Sequence, residues 1–469
     1  MTEKKTKIIC TISDINCETE FIRNLYLNGM NVARINSAHA TIEGAQRVVD
    51  NIRSISDKIA ILIDTKGPEV RLTGMSDGIV GFAVKEGDIL EFHTGPDCLC
   101  TPKVLYTNCQ SFVNDVPVDS RILVDDGSIE LVVIDKSAEK LVCQVQNYGV
   151  IKGKKSINVP NVHISLPALT EKDRMFVKWA IDADIDFIAH SFVRNKEDLF
   201  EIQEILDEHK SHIKIISKIE NKQGIDNIDE ILTYCYGVMI ARGDLGVEIA
   251  PEKIPLIQKN LILKCRSRQK PVIVATQMLH TMIENPRPTR AEVSDVANAI
   301  LQSADAIMLS GETASGKYPI EAVKTMRRIA LETEESLPVP PDFNLVNVTK
   351  PIAGVLAQSI VAATVKLPVK AIIFDTWSGR TGRYLAEFRP KVPIYAMCYN
   401  RHTMREMALT YDIYAYPFEI TGTKEGFVNN SIKILLEDGK IQSGDLVAFI
   451  GGSFADEVGA TYMEFRYVE

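Results

Sequence analysis

The chain has 469 residues, with 53 Lys and Arg against 62 Asp and Glu, which gives a formal net charge of −9. This length is too great for one ordinary core and indicates a large barrel with additions, or two to four domains. The acidic balance argues against a broad nucleic-acid or anionic-membrane surface, so any anion site must be local.

The beginning of the chain enters a short strand-like run and lacks the long apolar stretch of a signal peptide. No run reaches the roughly 18 apolar residues that cross a bilayer, so we expect a cytoplasmic protein with no membrane partner. The nine cysteines are scattered and odd in number, as expected of reduced thiols. Cys98, Cys100 and Cys109 lie close in sequence, but neither a histidine nor a fourth cysteine completes a zinc spacing.

Short apolar, β-branched runs recur along the chain, and many are followed by stretches of helical periodicity, which indicates βα units in a parallel sheet. The first part of the chain and its middle contain eight such runs: 7–12, 31–36, 59–64, 186–192, 214–220, 237–242, 271–277 and 305–310. Eight βα units predict an α/β fold with a TIM (β/α)8 barrel, whose chemistry belongs at the carboxyl ends of its strands.

The spacing of these runs is interrupted once, between the third and the fourth. Short alternating runs separated by Gly, Asp and Asn predict an inserted small β-barrel domain that acts as a lid. A proline-rich segment near residue 340 predicts a domain boundary, and three later strand-like runs predict a C-terminal αβ domain with a mostly parallel sheet. The predicted domains are the barrel (1–67 and 160–339), the lid (68–159) and the C-terminal domain (340–469).

The fifth run ends in Lys218, Glu220 and Asn221, whereas a strand buried on both faces should be almost wholly apolar. The sixth run continues into Gly243 and Asp244. Carboxylates of Glu220 and Asp244 on adjacent strand ends are suited to one Mg²⁺ or Mn²⁺, and the glycines let backbone N–H groups approach an anion. Each piece alone also fits an ordinary surface pair or a turn before a helix.

Polar residues also follow the other runs, where they would meet at the same rim. They are Arg34 and Asn36, Asp64 with Thr65 and Lys66, Thr276 with Gln277, and Ser310 with Glu312 and Thr313. Cations and carboxylates gathered in one space make a poor core but a suitable phosphoryl-transfer site.

From about residue 6 to residue 335 the sequence resembles the pyruvate kinase family, and the resemblance weakens beyond. It is carried by these segments, in order: GMNVARIN, DTKGPEVR, LVDDG, KIISKIEN, ARGDLGVEI, VATQML, ENPRPTRAEVSDVANAI and MLSGETASGKYPIEAV. The resemblance implies phosphoryl transfer from phosphoenolpyruvate to ADP, which is the final step of glycolysis. It also implies a lid inserted after the third strand, a C-terminal regulatory domain and a homotetramer.

The resemblance also implies a role for each matching residue. Glu220 and Asp244 become the divalent-metal ligands, Gly243 and Asp244 bind the substrate carboxylate, and Lys218 and Arg34 act on the transferring phosphoryl group. Arg71 and Lys155 match nucleotide-phosphate contacts. Thr276, Ser310 and Glu312 match the region that protonates the enolate, with water as the donor, and Thr276 also contacts the substrate. Asn36 and His39 are candidate nucleotide contacts, although His39 equally fits a structural histidine.

Several positions depart from the family pattern. Ala38 stands where the family has a serine that helps to bind K⁺, beside the K⁺ ligands matched by Asn36, Asp64 and Thr65. Glu69 is nevertheless the residue of K⁺-dependent members, so we expect weaker K⁺ use, with water or Ser37 filling the vacancy. Ser13 with Asp14, and Tyr236, also differ but remove no proposed metal ligand.

The segment from Asp375 to Thr381 resembles the effector-phosphate loop of allosterically regulated members. Thr376, Ser378, Gly379, Arg380 and Thr381 follow a strand, as in a phosphate nest, although a plain polar turn also fits. Asp456 and Glu457 would repel a second phosphate, which favours a sugar or nucleotide monophosphate as the effector over a bisphosphate.

Two other functions compete with this reading. A metal-dependent barrel lyase or mutase acting on pyruvate or phosphoenolpyruvate would need the same enolate site but would leave Arg71 and Lys155 unexplained. A catalytically impaired sugar-phosphate sensor is suggested by Ala38, but Lys218, Glu220, Asp244 and Thr276 are all retained.

Overall fold

A computed structural model describes residues 3–76, 78–338, 348–452 and 459–469. The predicted boundary at residue 340 and the residues Asp456 and Glu457 lie outside these ranges. Within these ranges, no helix is both long and apolar enough to cross a membrane.

The chain begins with three βα-type strands and two helices. They are β1 (Lys7–Thr11), α1 (Thr19–Asn28), β2 (Val32–Asn36), α2 (Ile42–Ile55) and β3 (Ala60–Asp64). Every residue of β1 and β3 is buried, as expected of parallel strands covered on both faces. Helix α2 starts at a side-chain cap, in which Thr41 accepts a hydrogen bond from the Gly44 N–H.

The lid follows. Its elements are β4 (Val70–Arg71), β5 (Gly81–Val84), β6 (Ile89–Thr94), β7 (Val104–Thr107), α3 (Phe112–Asp115), β8 (Arg121–Val124), β9 (Ile129–Lys136), β10 (Lys140–Val145), β11 (Gly149–Lys152) and β12 (Ser156–Asn158). Seven strands form one sheet in the order β4-β12-β8-β9-β10-β6-β7, and β11 pairs with β5. A bridge between Leu72 and Thr107 joins the two edge strands of the sheet, so the lid has its own closed core.

The barrel resumes with five strands and nine helices. The strands are β13 (Phe187–His190), β14 (Lys214–Ile219), β15 (Gly237–Ala241), β16 (Val272–Ala275) and β17 (Ala306–Leu309). The helices are α4 (Glu171–Asp182), α5 (Lys196–Glu208), α6 (Lys222–Asp226), α7 (Ile228–Tyr234), α8 (Arg242–Glu248), α9 (Ile254–Ser267), α10 (Arg290–Leu301), α11 (Gly311–Ala314) and α12 (Pro319–Ser336), with 3-10 turns at Pro251–Lys253 and His280–Ile283.

Eight parallel strands close the predicted TIM barrel in the order β1-β17-β16-β15-β14-β13-β3-β2. All eight predicted runs contribute a strand. Alternate residues such as Ile9, Leu62 and Ile216 fill the barrel interior, and their neighbours pack outward against the helices. Because all strands run in one direction, their polar carboxyl ends meet at one rim.

The C-terminal domain is an open αβ unit, as predicted. Its elements are α13 (Pro351–Lys366), β18 (Val369–Thr376), α14 (Arg380–Glu387), β19 (Ile394–Cys398), α15 (Arg401–Glu406), a 3-10 turn (Met407–Leu409), β20 (Ile413–Pro417), α16 (Lys424–Glu437), β21 (Leu446–Gly451) and β22 (Tyr462–Tyr467). The sheet order is β20-β19-β18-β21-β22, and only β22 runs antiparallel to its neighbour. Strands β20 and β22 were not predicted from the sequence.

The C-terminal domain docks against the amino-terminal end of the barrel, opposite the rim. Leu409 is fully buried within the barrel's interior cluster. Tyr236, one of the residues that departs from the family pattern, packs on Phe187 and carries the Arg383 guanidinium 5.2 Å above its ring. Buried ion pairs complete the interface, including Arg389 with Asp305 at 2.9 Å.

Candidate active site

A cavity of about 550 Å³ lies between the rim and the lid. It brings together nine of the predicted site residues: Arg34, Asn36, His39, Asp64, Thr65, Arg71, Lys218, Glu220 and Asp244. Four of these residues lie on barrel strands, namely Arg34, Asn36, Asp64 and Lys218, whereas Arg71 comes from the lid. The cavity is therefore where the two domains face each other across polar groups.

Lys218 is held at the centre of this cavity by three oxygens. Its Nζ lies 2.9 Å from Oδ1 of Asp64 and 3.0 Å from Oε1 of Glu220, and it donates a hydrogen bond to the Ser191 Oγ at 2.7 Å. Although burial alone would lower the pKa of Lys218, Asp64 and Glu220 raise it above its usual value. The side chain is therefore a fixed ammonium with little surrounding water.

Arg34 lies on the other side of Asp64. Its Nε donates to Oδ2 of Asp64 at 2.7 Å, and its Nη1 donates to the Thr11 hydroxyl at 2.8 Å. Burial works to raise the pKa of Asp64, but Arg34 and Lys218 outweigh it and keep the pKa below normal. Asp64 thus remains ionised and fixes two cations about one carboxylate.

Glu220, directly after β14, and Asp244, in α8, face the same cavity. Burial raises the pKa of Glu220 to about 7, opposed by Lys218 and reinforced by Asp244, and burial also raises the pKa of Asp244. Burial disfavours the charged form of both carboxylates, and the single Lys218 ammonium does not balance two negative charges. The two acids therefore offer oxygen ligands at a place that lacks positive charge. This set fits a hard divalent cation such as Mg²⁺ or Mn²⁺.

Sequence reasoning missed Ser191 and Phe192 as site residues. The Ser191 hydroxyl donates to the Thr65 carbonyl oxygen at 2.6 Å and accepts from Lys218, and the Phe192 N–H donates to Oε2 of Glu220 at 2.6 Å. Phe192 adopts a left-handed backbone conformation with φ 56°. The available signal was their place at the end of the fourth predicted run, directly after the observed strand β13.

Thr276 positions the beginning of α8. Its hydroxyl accepts from the Gly243 N–H at 2.8 Å and donates to the Ala275 carbonyl oxygen at 2.6 Å. Its own backbone is left-handed, with φ 68°, a conformation that costs energy for a β-branched residue. The single hydroxyl hydrogen is thus directed at the Ala275 carbonyl oxygen, and the hydroxyl holds the start of α8 in place.

Arg242 is a further residue that the sequence did not single out. It donates to the Thr276 carbonyl oxygen at 2.7 Å and pairs with Asp295 at 2.6 Å. Asp295 belongs to α10, so this pair fixes the strained Thr276 turn from a distant part of the chain. The motif ARGDLG contains Arg242, but spacing alone does not reveal its partner.

Glu312 is buried and bonds to two segments near the rim. One of its oxygens accepts from the Ser310 N–H at 2.7 Å, and the other accepts from the Leu279 N–H at 3.2 Å. The carboxylate therefore connects the segments that follow β16 and β17. Ser310 precedes α11 and is partly exposed. These contacts favour a positioning role for Glu312 over direct proton transfer.

The predicted K⁺ ligands are neighbours at the ends of β2 and β3. Asn36 pairs in register with Asp64, and the Ser37 N–H donates to the Asp64 carbonyl oxygen at 3.0 Å. The Oγ of Ser37 is buried and has no hydrogen-bond partner among the described residues. A buried hydroxyl oxygen without a partner is available to a hard cation, even though Ala38 supplies no oxygen from its side chain.

The predicted nucleotide contacts divide into two groups. Arg71 lines the cavity, and its guanidinium pairs with Glu69 at 2.8 Å and donates to the Lys154 carbonyl oxygen at 3.0 Å. His39 is exposed at the cavity edge. Lys155 instead pairs with Asp125 of the lid at 2.9 Å and is not among the residues that line this cavity. A role for Lys155 at the site thus requires the lid to move or Asp125 to release it.

The predicted effector loop joins β18 to α14. Gly379 has φ 71° and donates its N–H to the Thr376 hydroxyl at 2.8 Å. A Cβ at this glycine would clash with the Met407 methyl group, and the left-handed backbone further disfavours other residues. Ser378 is exposed, Arg380 is partly exposed, and Thr381 is buried.

Comparison with known proteins agrees with this geometry along the whole chain. Residues 3–323 match the family model described as pyruvate kinase, barrel domain, and residues 355–463 match that described as pyruvate kinase, alpha/beta domain. A pyruvate kinase of Borreliella burgdorferi is 46% identical over 475 residues, covering 100% of this chain and 98% of the relative. A pyruvate kinase of Geobacillus stearothermophilus is 45% identical, covering 98% of this chain and 79% of the relative.

A solved structure is similar over the same extent. The crystal structure of a pyruvate kinase from Cryptosporidium parvum superposes with a TM-score of 0.92 at 34% sequence identity, covering 99% of this chain and 96% of that one. These full-length matches favour the kinase over the lyase or mutase that the sequence left open.

Proposed function

Because the chain belongs to the pyruvate kinase family and has that family's activity, the transfer of a phosphoryl group from phosphoenolpyruvate to ADP, we propose that Lys218, Glu220 and Asp244 form its reaction centre. The observation that supports this assignment is their convergence in one cavity at the strand ends. In an ordinary surface cluster, charged side chains point into water. Here both acids and the lysine face one cavity.

Lys218 acts on the phosphoryl group during transfer. Negative charge is spread over the phosphoryl oxygens in the transition state, and a fixed ammonium stabilises it without the reorganisation that water would require. The contacts of Lys218 with Asp64 and Ser191 provide this fixed position. Arg34 binds the same phosphate and is itself oriented by Asp64.

Glu220 and Asp244 would hold the divalent ion, Mg²⁺ or Mn²⁺. A divalent ion bound there polarises the oxygens of the substrate and offsets the charge of the two acids. The Phe192 N–H orients Glu220 from behind. Gly243 and Asp244 also lie where the carboxylate end of phosphoenolpyruvate binds, on the turn that Thr276 fixes.

Protonation of the enolate belongs to the region of Thr276, Ser310 and Glu312. The Thr276 and Glu312 contacts hold the segments after β16 and β17 in place. Thr276 limits where substrate and water can lie, and a water molecule held near Ser310 gives the proton to the enolate carbon. Glu312 acts through the backbone groups that it binds.

The nucleotide binds between rim and lid. Arg71 contacts its phosphates, with Asn36 and His39 on the barrel side. Lys155 joins Arg71 there once the lid moves or Asp125 releases it. Asn36, Asp64 and Thr65, together with the free Ser37 hydroxyl, would hold K⁺. K⁺ use is weaker than in members with a serine at position 38, because one side-chain oxygen is missing.

We also infer a regulatory role for the C-terminal domain. The loop with Thr376, Ser378, Gly379, Arg380 and Thr381 binds the phosphate of a sugar or nucleotide monophosphate effector. The left-handed Gly379 turn and the partly exposed Arg380 support this role. The enzyme forms a homotetramer, and its place in glycolysis supports the predicted cytoplasmic location.

A matched pair of lysine variants tests the reaction centre. Lys218 and Lys214 lie at opposite ends of the same strand, and Lys214 pairs with Glu406 at the far end of the barrel. In a coupled assay of ADP-dependent pyruvate release, Lys218→Ala should lower kcat about 10²- to 10³-fold, as expected for loss of one preorganised charge. Lys214→Ala should retain activity. A Lys218→Ala enzyme with unchanged kcat would refute the assignment.

A further inference from the structure

The backbone that follows β16 is strained at two consecutive positions. Thr276 and Gln277 adopt left-handed conformations, with φ of 68° and 55°. Residues other than glycine rarely adopt this conformation, and for a β-branched residue such as Thr276 it costs energy. Strain of this kind persists only where the surrounding contacts hold it, and it is concentrated at functional sites. The contacts that hold this turn are therefore of interest for the reaction.

The Arg242 side chain binds the strained turn directly. Its Nη2 donates to the Thr276 carbonyl oxygen at 2.7 Å, and its Nε donates to the Ala275 carbonyl oxygen at 3.3 Å. A guanidinium is planar and carries its N–H donors in a fixed fork, so it can bind two successive carbonyl oxygens at once. Arg242 thus fixes the direction in which the chain leaves β16.

Asp295 of α10 holds the guanidinium from the other side. Its Oδ1 accepts from Nη1 of Arg242 at 2.6 Å, and Oε1 of Gln258 accepts from the same nitrogen at 3.4 Å. The side chain of Arg242 is only 11% exposed, so water competes little for this contact. A short hydrogen bond between two charged groups restricts the guanidinium to one orientation. All three nitrogens of the guanidinium are therefore engaged.

The contacts between the ends of β15 and β16 are reciprocal. The side chain of Arg242 binds the backbone of Thr276, and the Thr276 hydroxyl accepts from the backbone N–H of Gly243 at 2.8 Å. Asp244 is the next residue and lines the cavity between rim and lid. Two cross-links thus fix the segment that carries the Asp244 carboxylate. Its position depends on a set of contacts that begins on α10.

The Arg242 network lies behind the cavity. Among the described residues that line the cavity, neither Arg242 nor Asp295 appears. The donors of Arg242 are directed at the end of β16 and at α10, so any effect on the reaction passes through the segment that ends in Asp244. Arg71, the nucleotide contact proposed on the lid, binds other groups. Substrate and nucleotide should therefore respond differently to the loss of this network.

We propose that Arg242 and Asp295 are positioning residues for the carboxylate end of phosphoenolpyruvate and for the divalent ion, acting through Gly243 and Asp244. This inference rests on the proposed roles of Gly243 and Asp244. It adds a helix of the outer layer, α10, to the elements that set the affinity of the reaction centre. When the pair is lost the strained turn relaxes, and both ligands bind more weakly. ADP, with its contacts elsewhere, binds as before.

Asp295→Asn and Arg242→Lys test the pair in the full chain. The asparagine keeps the shape of the acid without its charge, and the lysine keeps the positive charge without the fork. Titration of the chelator-stripped protein with Mn²⁺, followed by the electron paramagnetic resonance of the free ion, gives a Kd without turnover. Initial rates give kcat and the KM of each substrate.

Asp229→Asn is the matched control. Asp229 is also a carboxylate on a barrel helix and pairs with an arginine, Arg268, at 3.0 Å, but it lies outside the cavity and outside the Arg242 network. This variant should have the Kd for Mn²⁺ and the KM values of the parent.

Asp295→Asn and Arg242→Lys should each weaken Mn²⁺ binding and raise KM for phosphoenolpyruvate by about 10-fold, as for changes behind the ligands of a metal site. KM for ADP should stay unchanged. A purely structural role would lower kcat through the fraction of active enzyme and leave the Kd and both KM values as in the parent, which overturns the inference. Equal rises in both KM values also overturn it.

Asp244→Asn separates this inference from the proposed function on which it rests. If Asp244→Asn weakens Mn²⁺ binding while Asp295→Asn and Arg242→Lys do not, only the positioning role is refuted. If Asp244→Asn leaves Mn²⁺ binding unchanged, the metal role of Asp244 is refuted, and the positioning role with it.

Discussion

Oδ1 of Asp64 lies 2.9 Å from Nζ of Lys218, while Oδ2 of the same carboxylate accepts from Arg34 at 2.7 Å. The two cations that we propose to act on the phosphoryl group are therefore positioned by one buried acid. Arg34 and Asp64 are on adjacent strands, and Lys218 comes from a strand far along the chain. The position of each cation depends on the other through this shared partner.

Asp64→Asn should lower kcat/KM for phosphoenolpyruvate by about 10²-fold or more, because Lys218 and Arg34 lose the charge that orients them. Thermal unfolding should also occur at a lower temperature, since two buried cations lose a counter-ion. Steady-state kinetics and a melting curve check both. Asp50→Asn, on the exposed part of α2, is the control and should behave as the parent. Unchanged kinetics for Asp64→Asn would contradict the positioning role.

Glu312→Gln should affect turnover through the backbone that Glu312 holds. The amide can accept from only one of the Ser310 and Leu279 N–H groups, so one buried donor loses its partner, at a cost of about 1–3 kcal/mol. We expect lower kcat with a pH profile of the same shape as the parent's. A profile that loses one limb would instead identify Glu312 as a proton-transfer group.

Arg71→Ala should raise KM for ADP about 10-fold and change KM for phosphoenolpyruvate little, since Arg71 belongs to the lid and faces the cavity. Initial rates with each substrate varied in turn separate the two effects. Arg121→Ala is a matched control, because Arg121 is also a lid arginine paired with a glutamate but lies on the outer surface. Equal effects on both substrates would argue against a nucleotide contact.

Ala38→Ser should restore a side-chain oxygen to the monovalent-cation site. One added ligand strengthens K⁺ binding by about 1 kcal/mol, which lowers the K⁺ concentration for half-maximal activity about fivefold. Activity measured against K⁺ at fixed ionic strength gives this value for both proteins. A parent that is fully active without K⁺ would contradict the proposed K⁺ dependence.

His190 should make the stability of the barrel depend on pH. It is fully buried in β13, burial lowers its pKa to about 4 from the ordinary 6.5, and neither ring nitrogen makes a hydrogen bond among the described residues. Between these two values the unfolded chain binds more protons than the folded chain. The free energy of unfolding therefore falls as the pH falls from 6.5 to 4, by roughly 3 kcal/mol from this one group.

Denaturant unfolding of the parent and His190→Leu at several pH values measures this contribution. The leucine variant should show a flatter dependence between pH 6.5 and 4, whatever its stability at neutral pH. His209→Gln is the control for general effects of removing a histidine. If the two curves for the parent and His190→Leu stay parallel, His190 does not carry the pH dependence.

The strands of the barrel were predictable because each is encoded locally. A run of buried β-branched residues, such as β3, is recognisable without knowledge of its neighbours. Strands β20 and β22 escaped prediction for the opposite reason, since β20 is rich in tyrosine and β22 mixes charged residues with aromatic ones at the sheet edge. Their pairing with β19 and β21 decides their conformation.

The sequence by itself determined the fold class, the family and the residue types at the strand ends, because these depend on local periodicity and on long motifs. Only the tertiary structure decided which groups touch. Ser191 on Lys218, Arg242 on Thr276, and Asp184 beside His212 and His402 each join segments that the chain order separates. Such contacts depend on the closure of the barrel and the docking of the C-terminal domain. Both result from interactions along the whole chain, so they leave no local pattern in the sequence.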